Sequence, residues 1–311
     1  MVTEVFIKLA EKCGIKPSDL AKLLILFENK KTHSEIFRAF GWTPNFTKKV
    51  IISCSSIVKF SENSFSIAPN GINLLNEAKL IIKKEEEFLS QLPGISKELE
   101  NTKAKFVKSK REYDQFFATV ETVIKRANLM LKSGDLTGRK VLLLGDDDFL
   151  STVLAKFSLI SEISVIDIDE DILKIIKDQE KQQVITYQHD LRNGLPKDFL
   201  SKFDTVFTDP PYTPEGFRLF MNIGISALNK SKNGALYICY GNTDEARDRG
   251  LKIQKIVAEE NLLITNKWLD FNRYNGAETV ANCSSLYVLK ETDQTKRQNL
   301  RGSLKIYTYE N

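Results

Sequence analysis

The sequence predicts an α/β protein whose larger part is a Rossmann-like domain on a mainly parallel sheet, preceded by a small α+β domain. Three observations predict it: strands and helices alternate after Gly138, residues 140–144 form one apolar run, and polar residues follow each strand. Alternation of this kind produces parallel strands with right-handed helical crossovers. An uninterrupted apolar run is typical of a strand buried on both faces.

The first 110 residues are expected to form a winged-helix-like domain and a linker. Helical spacing of apolar residues predicts helices over residues 4–13, 17–27, 32–40, 48–55 and 72–89. Alternating segments at 56–60 and 64–67 predict a β-hairpin between the fourth and fifth helices. The charge-rich stretch at 83–110, with its Pro-Gly pair at 93–94, indicates a linker with an exposed helix.

Residues 111–290 are expected to form the catalytic domain, followed by a polar tail at 291–311. Strands are predicted at 140–144, 162–167, 184–188, 202–208, 235–239, 262–270 and 284–289. Helices are predicted at 113–132, 149–159, 170–179 and after Glu215. Within the tail, residues 303–309 are a segment that could order on a ligand or partner.

Composition narrows the function classes. No stretch approaches the roughly 20 apolar residues of a membrane span, and the first residues lack the layout of a signal peptide. The 4 cysteines are scattered and there are 2 histidines, which favours a reducing cytoplasm and argues against a metal centre. We therefore expect a cytoplasmic protein with neither a membrane partner nor a bound metal.

The net charge of +4 conceals an asymmetry. Residues 1–110 carry 18 Lys and Arg against 12 Asp and Glu, whereas the remainder carries 27 against 29. The catalytic part is thus not a phosphate-attracting surface. The N-terminal domain without an Arg cluster favours a lid or dimerisation module over DNA binding, and we do not expect a nucleic-acid partner.

Acidic residues follow the predicted strands, where ligands of open α/β sheets bind. Asp167 ends the second strand about 20 residues after Gly145, the position of an acid that accepts hydrogen bonds from ribose hydroxyls. Asp190 follows the third strand and could accept a bond from the amine of adenine. For both residues the alternative is a helix cap or turn.

The loop Gly145-Asp146-Asp147-Asp148 is the most informative feature. Three carboxylates would repel a pyrophosphate or the carboxylate of S-adenosylmethionine, but they would attract a tail that ends in an ammonium group. The aminopropyl tail of decarboxylated S-adenosylmethionine ends in this way. The alternatives are a cluster of helix N-caps and a magnesium site.

Asp209-Pro210-Pro211-Tyr212 follows the fourth strand. The prolines stiffen the turn, so that Asp209 can accept bonds from an amine and Tyr212 can pack on the substrate. Enzymes that alkylate the exocyclic amines of nucleic-acid bases share this type of motif. On the helix before the first strand, Tyr113 and Glu121 could contact substrate and Gln115 the donor, the alternative being a solvated face.

Together these motifs resemble the N(4)-bis(aminopropyl)spermidine synthase family of thermophiles. The resemblance covers 113–240 and is carried by Tyr-Asp-Gln at 113–115, the Asp loop at 145–148, and the segments at 165–169, 189–192 and 209–220. It implies a class I methyltransferase-like fold, a homodimer, and an aminopropyltransferase without a metal or permanently bound cofactor. Decarboxylated S-adenosylmethionine would be a co-substrate, and spermidine would gain aminopropyl groups on its secondary nitrogen.

The expected mechanism is an in-line displacement in which the amine attacks the carbon next to the sulfonium. Asp148 is the first candidate for accepting the amine proton and Asp209 the second; Asp146 and Asp147 are expected to bind substrate. One alternative is an S-adenosylmethionine-dependent N-methyltransferase acting on a nucleic-acid base, which leaves three aspartates unexplained. Another is a regulator that binds a nucleoside without catalysis.

Overall fold

The computed structural model describes residues 1–106, 109–180, 183–231, 233–241, 247–275, 282–302 and 305–308. The helices are α1 (Glu4–Cys13), α2 (Pro17–Leu26), α3 (His33–Phe40), α4 (Pro44–Ser53), α5 (Ile72–Phe106), α6 (Val120–Lys132), α7 (Leu150–Ala155), α8 (Glu170–Glu180), α9 (Pro214–Ala227) and α10 (Arg247–Glu259). The strands are β1 (Val58–Ser61), β2 (Ser64–Ile67), β3 (Lys140–Leu144), β4 (Glu162–Asp167), β5 (Val184–Gln188), β6 (Thr205–Thr208), β7 (Ala235–Tyr240), β8 (Leu262–Arg273) and β9 (Cys283–Glu291).

The N-terminal part contains four helices followed by a hairpin, as the sequence predicts. A capping box starts α3, because the Thr32 hydroxyl accepts from the Glu35 backbone while the Glu35 carboxylate accepts from the Thr32 backbone. Strands β1 and β2 pair in antiparallel register across a two-residue turn. An isolated bridge joins Lys31 to Phe65 of β2, which completes the strand, helix pair and wing of a winged-helix-like arrangement.

The predicted linker is instead one continuous helix, α5, which runs through Pro93. Its buried residues Phe88, Leu92, Ile95 and Leu99 keep a helical spacing on both sides of the proline. Pro93 lies on the exposed face. The packing of this apolar stripe stabilises the helix by more than the loss of the hydrogen bond that an interior proline removes. The stripe predicts a helix, but it lies within a charge-rich segment that resembles a linker.

The second part is a seven-stranded sheet with the order β5-β4-β3-β6-β7-β9-β8. Strands β3 to β7 are parallel to one another, and β9 runs antiparallel to both β7 and β8. The strand order reverses between β3 and β6. After β3 the chain continues to β4 on one side, and after β6 it continues to β7 on the other side. This point is the site at which doubly wound sheets bind ligands, and the predicted α/β class is confirmed.

Alternation along the strands divides the core into two layers. Val141, Leu143 and Val165 face one layer, which also contains the apolar residues of α1 to α6. Leu142 and Leu144 face the other layer, built from α9, α10 and part of the tail. The N-terminal helices therefore share a continuous core with one face of the sheet. No described helix is long and apolar enough to cross a bilayer.

Helix α6 begins at Val120, later than the predicted start at Tyr113. The Thr119 side chain caps it by accepting from the Thr122 backbone. The preceding residues instead pair with the end of β8: Thr119 N–H donates to the Arg273 carbonyl at 2.8 Å, and Asn275 N–H to the Phe117 carbonyl at 2.9 Å. This pairing fixes Tyr274 beside the switch point.

Candidate active site

A cleft of about 600 Å³, open to solvent, lies at the carboxyl edge of the sheet. Its acidic lining residues are Asp114, Asp147, Asp167, Asp190 and Asp209. The other lining residues are Tyr113, Gln115, Gly145, Ile166, Ile168, His189, Leu191, Pro211, Phe220, Ile306 and Tyr307. The described wall of this cleft thus contains five carboxylates and no Lys or Arg. Four of the five end or follow parallel strands, as the convergence of strand ends predicts.

The loop after β3 turns sharply at both ends. Gly145 has φ +74°, a region that favours glycine, and the buried Phe149 has φ +60°. Between them, Asp146 is buried and accepts backbone N–H bonds from Leu150 (2.8 Å) and Ser151 (3.1 Å). Asp146 therefore caps α7, which is the alternative that the sequence left open. It does not line the cleft, although substrate binding was expected.

Asp147 is the member of the loop that lines the cleft. No described hydrogen bond or ion pair reaches its carboxylate. Burial, and after it the negative charges of Asp148, Asp167 and Asp209, raise the pKa of Asp147 well above its usual range. A ligand cation placed here would relieve that repulsion.

Asp148 is buried and held by donors on both oxygens. Its Oδ1 accepts from the Ala118 backbone at 2.5 Å and from Lys103 Nζ at 3.3 Å, and its Oδ2 accepts from Arg126 Nη1 at 2.6 Å. Burial opposes the charge, but the two cations and the backbone N–H hold the pKa of Asp148 below its usual value. Asp148 is thus an ionised anchor behind the cleft, and its role as proton acceptor stays a prediction.

Asp209 lines the cleft beside Asp147. Its Oδ2 accepts from Arg126 Nη2 and from the Tyr274 hydroxyl, each at 2.7 Å. Its Oδ1 accepts from the Tyr212 hydroxyl at 3.1 Å. Burial raises the pKa of Asp209, and the positive charge of Arg126 partly offsets the rise. Of the two predicted catalytic carboxylates, Asp209 is the one that reaches this cleft.

Tyr212 lies next to the cleft but is not among its lining residues. Its hydroxyl also donates toward the Tyr274 hydroxyl at 2.7 Å, and its ring packs against Tyr240 and Tyr274. The ring of Tyr212 thus packs within an aromatic cluster, and its packing on a substrate stays a prediction. The observed role of Tyr212 is to hold Asp209.

The far end of the cleft has the residues expected for a nucleoside. Asp167 accepts the backbone N–H of Asp146 at 2.9 Å and of Asp169 at 2.8 Å, which leaves lone pairs for hydroxyl donors. Burial raises the pKa of Asp167 to about 6. Asp190 is ion-paired with Arg192 at 2.7 Å, and the Arg192 hydrogen bonds help to keep its pKa low against the effect of burial.

Gln115 lines the cleft, and its side chain also connects the Lys110 backbone to the Asp169 carboxylate. Its amide donates to Asp169 at 2.9 Å and its carbonyl accepts the Lys110 N–H at 2.9 Å. Asp169 also accepts from Lys110 Nζ at 2.7 Å. The wall beside the predicted ribose site is therefore rigid, and contact of Gln115 with the donor stays a prediction.

The tail folds over the mouth of the cleft. Ile306 and Tyr307 are buried, and the Tyr307 ring lies 5.9 Å from that of Tyr113. The Thr308 N–H donates to Asp114 at 2.8 Å. Ordering of residues 303–309 on a ligand or partner stays a prediction; positions 305–308 lie beside the cleft, and positions 303, 304 and 309 lie outside the described residues.

Glu121 does not reach the cleft. It is exposed and forms an i,i+4 ion pair with Lys125 at 2.8 Å. Because α6 begins at Val120, Glu121 sits in the first turn on the solvent side, so the solvated-face alternative is correct. The predicted substrate contact of Glu121 gains no support from this position and stays a prediction.

Sequence reasoning missed three residues of the site: Lys103, Arg126 and Tyr274. Arg126 had a readable signal, since it lies within the apolar stripe formed by Val123, Ala127 and Met130, and an arginine in such a stripe needs buried partners. Lys103 was concealed in a charge-rich run. Tyr274 reaches Asp209 through tertiary pairing that no local pattern reports.

In the part of the chain that the structure describes, no group of three or more His, Cys, Asp and Glu side chains is arranged to hold a metal ion. The magnesium alternative for the Asp loop gains no support from Asp146 and Asp148, whose oxygens are directed at backbone and cationic donors. A metal-free reaction stays a prediction.

Relatives are found over the region that carries the cleft. The family described as the branched-chain polyamine synthase A C-terminal domain matches residues 96–308. An uncharacterized protein of Methanocaldococcus jannaschii is 40% identical over 198 residues, covering 63% of this chain and 49% of that protein. The N(4)-bis(aminopropyl)spermidine synthase of the same organism is 39% identical over 172 residues, covering 53% of this chain and 48% of that protein. The chain spans about half the length of these curated relatives.

A solved structure extends the likeness to the whole chain. The branched-chain polyamine synthase from Thermus thermophilus, in complex with N4-aminopropylspermidine and 5'-methylthioadenosine, matches with a TM-score of 0.60 and 20% identity. The match covers 98% of this chain and 97% of that chain. At this identity the likeness shows the fold alone, and it includes the N-terminal elements as well as the sheet.

Proposed function

Because this chain belongs to the family of the branched-chain polyamine synthase A C-terminal domain, we propose that it is an aminopropyltransferase. The donor is decarboxylated S-adenosylmethionine, a co-substrate and not a permanently bound cofactor. The acceptor is the secondary amine of spermidine, which becomes a branched polyamine such as N4-bis(aminopropyl)spermidine. The M. jannaschii and T. thermophilus proteins carry names that fit this reaction.

The observation that carries the proposal is the acidic wall of the cleft. Asp147 and Asp209 lie at one end, and Asp167 and Asp190 at the other. Asp209 and Asp190 each have one cationic partner, Arg126 and Arg192, whereas no described ion pair reaches Asp147 or Asp167. A donor with an ammonium tail and a sulfonium, together with a polycationic acceptor, adds positive charge that balances the remaining carboxylates. The carboxylate of ordinary S-adenosylmethionine would meet Asp147 at short range.

The chemistry is a substitution at carbon. The amine lone pair forms the new N–C bond, the C–S bond breaks, and the sulfur leaves with its electron pair as neutral methylthioadenosine. The acceptor nitrogen releases one proton, and Asp209 is the predicted catalytic carboxylate in position to receive it. Alignment of the two substrates contributes about 7–11 kcal/mol, so the shape of the cleft matters more than the base.

Asp148 supports Asp209 indirectly, because both carboxylates bind Arg126. Direct proton transfer to Asp148 remains the competing prediction. Replacement of Asp148 by Asn tests, by its effect on methylthioadenosine release, whether Asp148 takes part in the reaction in either role. A loss of about 10²-fold or more fits either a base or an essential anchor. Activity within a factor of about two would remove Asp148 from the mechanism.

Base N-methylation is the other function class that Asp-Pro-Pro-Tyr suggests. Its tyrosine would need to present a stacking face to a base, but Tyr212 packs against Tyr240 and Tyr274. If the donor binds at the carboxyl edge as proposed, the charge of Asp147 would repel the methionine carboxylate of the methyl donor. The Tyr212 packing supports an acceptor other than a base, and the charge of Asp147 supports the aminopropyl donor.

We further propose that the chain works in the cytoplasm as a homodimer, without nucleic-acid or membrane partners. All four cysteines are free thiols, and three of them are buried, which fits a reducing compartment. The dimer follows from the family resemblance, and light scattering of the purified chain tests it.

Mass analysis of products tests the proposed reaction. The chain is incubated with spermidine and either decarboxylated or ordinary S-adenosylmethionine. We expect methylthioadenosine and mono- or bis-aminopropylated spermidine with the decarboxylated donor alone. Transfer of a methyl group from the ordinary donor, with no aminopropyl product, would overturn the proposal.

A further inference from the structure

Arg126 is a fully buried cation in the middle of α6, between the apolar core and the cleft. A buried guanidinium is costly unless every donor direction is satisfied. Here Nε donates to Asn272 Oδ1 at 2.8 Å, and the two terminal nitrogens reach Asp148 and Asp209 at 2.6 and 2.7 Å. The guanidinium also lies 5.0 Å from the centre of the Phe207 ring. Its orientation is therefore fixed on all sides.

This arrangement joins parts of the chain that are far apart in sequence. Asp148 follows β3, Asp209 follows β6, Asn272 lies in β8 and Tyr274 lies just after it. Arg126 is the group that touches both strand-end carboxylates. A lysine could not replace it, because one ammonium cannot present the planar fork that bonds two carboxylates in different directions.

Tyr274 supplies the second support of Asp209. Its hydroxyl donates to Asp209 Oδ2 and approaches Ser284 Oγ, both at 2.7 Å. The Tyr212 hydroxyl has one proton and two acceptors, Asp209 Oδ1 at 3.1 Å and the Tyr274 oxygen at 2.7 Å. When that proton points at Tyr274, Oδ1 of Asp209 is open to a ligand while Oδ2 stays anchored.

We propose that Arg126 and Tyr274 are positioning residues that hold Asp209 by one oxygen and keep it ionised for the substrate amine. This inference rests on the proposed function for its catalytic consequence. Asp148 contributes by neutralising the second arm of the guanidinium and fixing its direction. Neither Arg126 nor Tyr274 lines the described cleft, so both act through Asp209.

The principal test is Tyr274→Phe, which removes the hydrogen bond and keeps the ring. We expect kcat for aminopropyl transfer to fall about 10-fold, with KM for spermidine within twofold. Loss of a donor to the carboxylate favours its protonated form, so the acidic limb of the kcat–pH profile should move up by about one unit. Arg126→Lys should shift the limb in the same direction and reduce kcat further.

Tyr237→Phe is the matched control. Tyr237 is buried in the same sheet and donates to a carboxylate, Asp135, at 2.7 Å, but this pair lies at the opposite edge of the sheet from the cleft. The control should lose stability to a similar degree and keep the wild-type pH profile. If Tyr274→Phe behaves like this control, with kcat within twofold and an unmoved acidic limb, the inference is wrong.

Titration of the Asp209 carboxyl carbon by NMR makes the outcome independent of turnover. We expect a higher pKa of Asp209 in Tyr274→Phe, and in Arg126→Lys if that variant folds, than in the wild type. If the wild-type protein transfers no aminopropyl group, the proposed function is refuted. The NMR titration would still decide whether Arg126 and Tyr274 keep Asp209 ionised. An unchanged Asp209 pKa in a folded Tyr274→Phe variant overturns the inference.

Discussion

Asp147 is the residue on which the proposed donor selection depends. Its two neighbours in the loop are committed to protein partners, Asp146 to the start of α7 and Asp148 to Arg126. Asp147 lines the cleft with no described bonding partner and with its pKa raised by burial and by nearby carboxylates. Three consecutive acids thus have three roles, and the middle one is available to bind a cation.

Asp147→Asn should weaken binding of the decarboxylated donor about 10- to 100-fold, since a hydrogen bond to a charged group contributes about 1.5–3 kcal/mol. Titration calorimetry measures the change. Asp178→Asn, the same substitution on the exposed face of α8, is the matched control and should bind as the wild type does. Equal affinities of the two variants would contradict the role of Asp147.

Asp167 gives the protein a pH dependence with a definite sign. Its pKa is about 6 in the folded, ligand-free protein against an ordinary value of 3.8. Between these values the folded state binds the extra proton, so this group lowers the free energy of unfolding as pH rises from about 4 to 6. Asp167→Asn should flatten that part of the curve of melting temperature against pH.

The same residue should make donor binding stronger as pH rises. An ionised carboxylate accepts ribose hydroxyls better than a protonated one, so affinity should increase more steeply between pH 5 and 7 in the wild type than in Asp167→Asn. A wild-type affinity that falls over this range would exclude the ribose role.

For individual residues, the sequence predicted a position in the cleft correctly where the sheet topology alone determines that position. Asp147, Asp167, Asp190 and Asp209 converge because the strands that precede them are parallel neighbours. It was uninformative where a side chain must choose between partners, as for Asp146 and Asp148. The exposed position of Glu121 was not predicted, because the residue at which a helix starts is poorly determined by sequence.

Helix α5 connects the N-terminal part to the cleft. It packs Phe88 against Phe157 after β3, with ring centres 5.1 Å apart, and it carries Lys103 to Asp148 and to the Ala118 carbonyl. The predicted linker is thus a rigid element that contributes a charge to the loop after β3. Taken as a helix breaker, Pro93 hides this element in the sequence. The helical spacing of apolar residues on both sides of the proline indicates that the helix continues.

Pro93→Ala should stabilise the protein if this description of α5 is right. The substitution restores a helical N–H at an exposed position, and we expect the free energy of unfolding to rise by about 1–3 kcal/mol. Gly94→Ala is a companion change with no atom within 4 Å of the added methyl group, and it should add about 1 kcal/mol. Chemical denaturation measures both. A lower stability of Pro93→Ala would place a helix break at this residue.

The whole molecule combines a doubly wound sheet with an acidic carboxyl edge. The strands and their mainly parallel arrangement were predictable from hydrophobic patterning and from the alternation with helices, whereas the strand order came from the structure. The position of the tail was not predictable, since Ile306 and Tyr307 carry no periodic signal. The tail meets the cleft through tertiary contacts, such as the Tyr113–Tyr307 ring pair and the Thr213 hydroxyl that donates to the Ile306 carbonyl. The resulting enclosure is acidic on its described walls.

Charge at the mouth of β3 is the central claim, and comparative ligand stabilisation tests it most directly. The melting temperature is measured with equal concentrations of decarboxylated and ordinary S-adenosylmethionine, which differ only in the carboxylate. We predict a clearly larger increase with the decarboxylated donor. An equal or larger increase with ordinary S-adenosylmethionine would contradict the account.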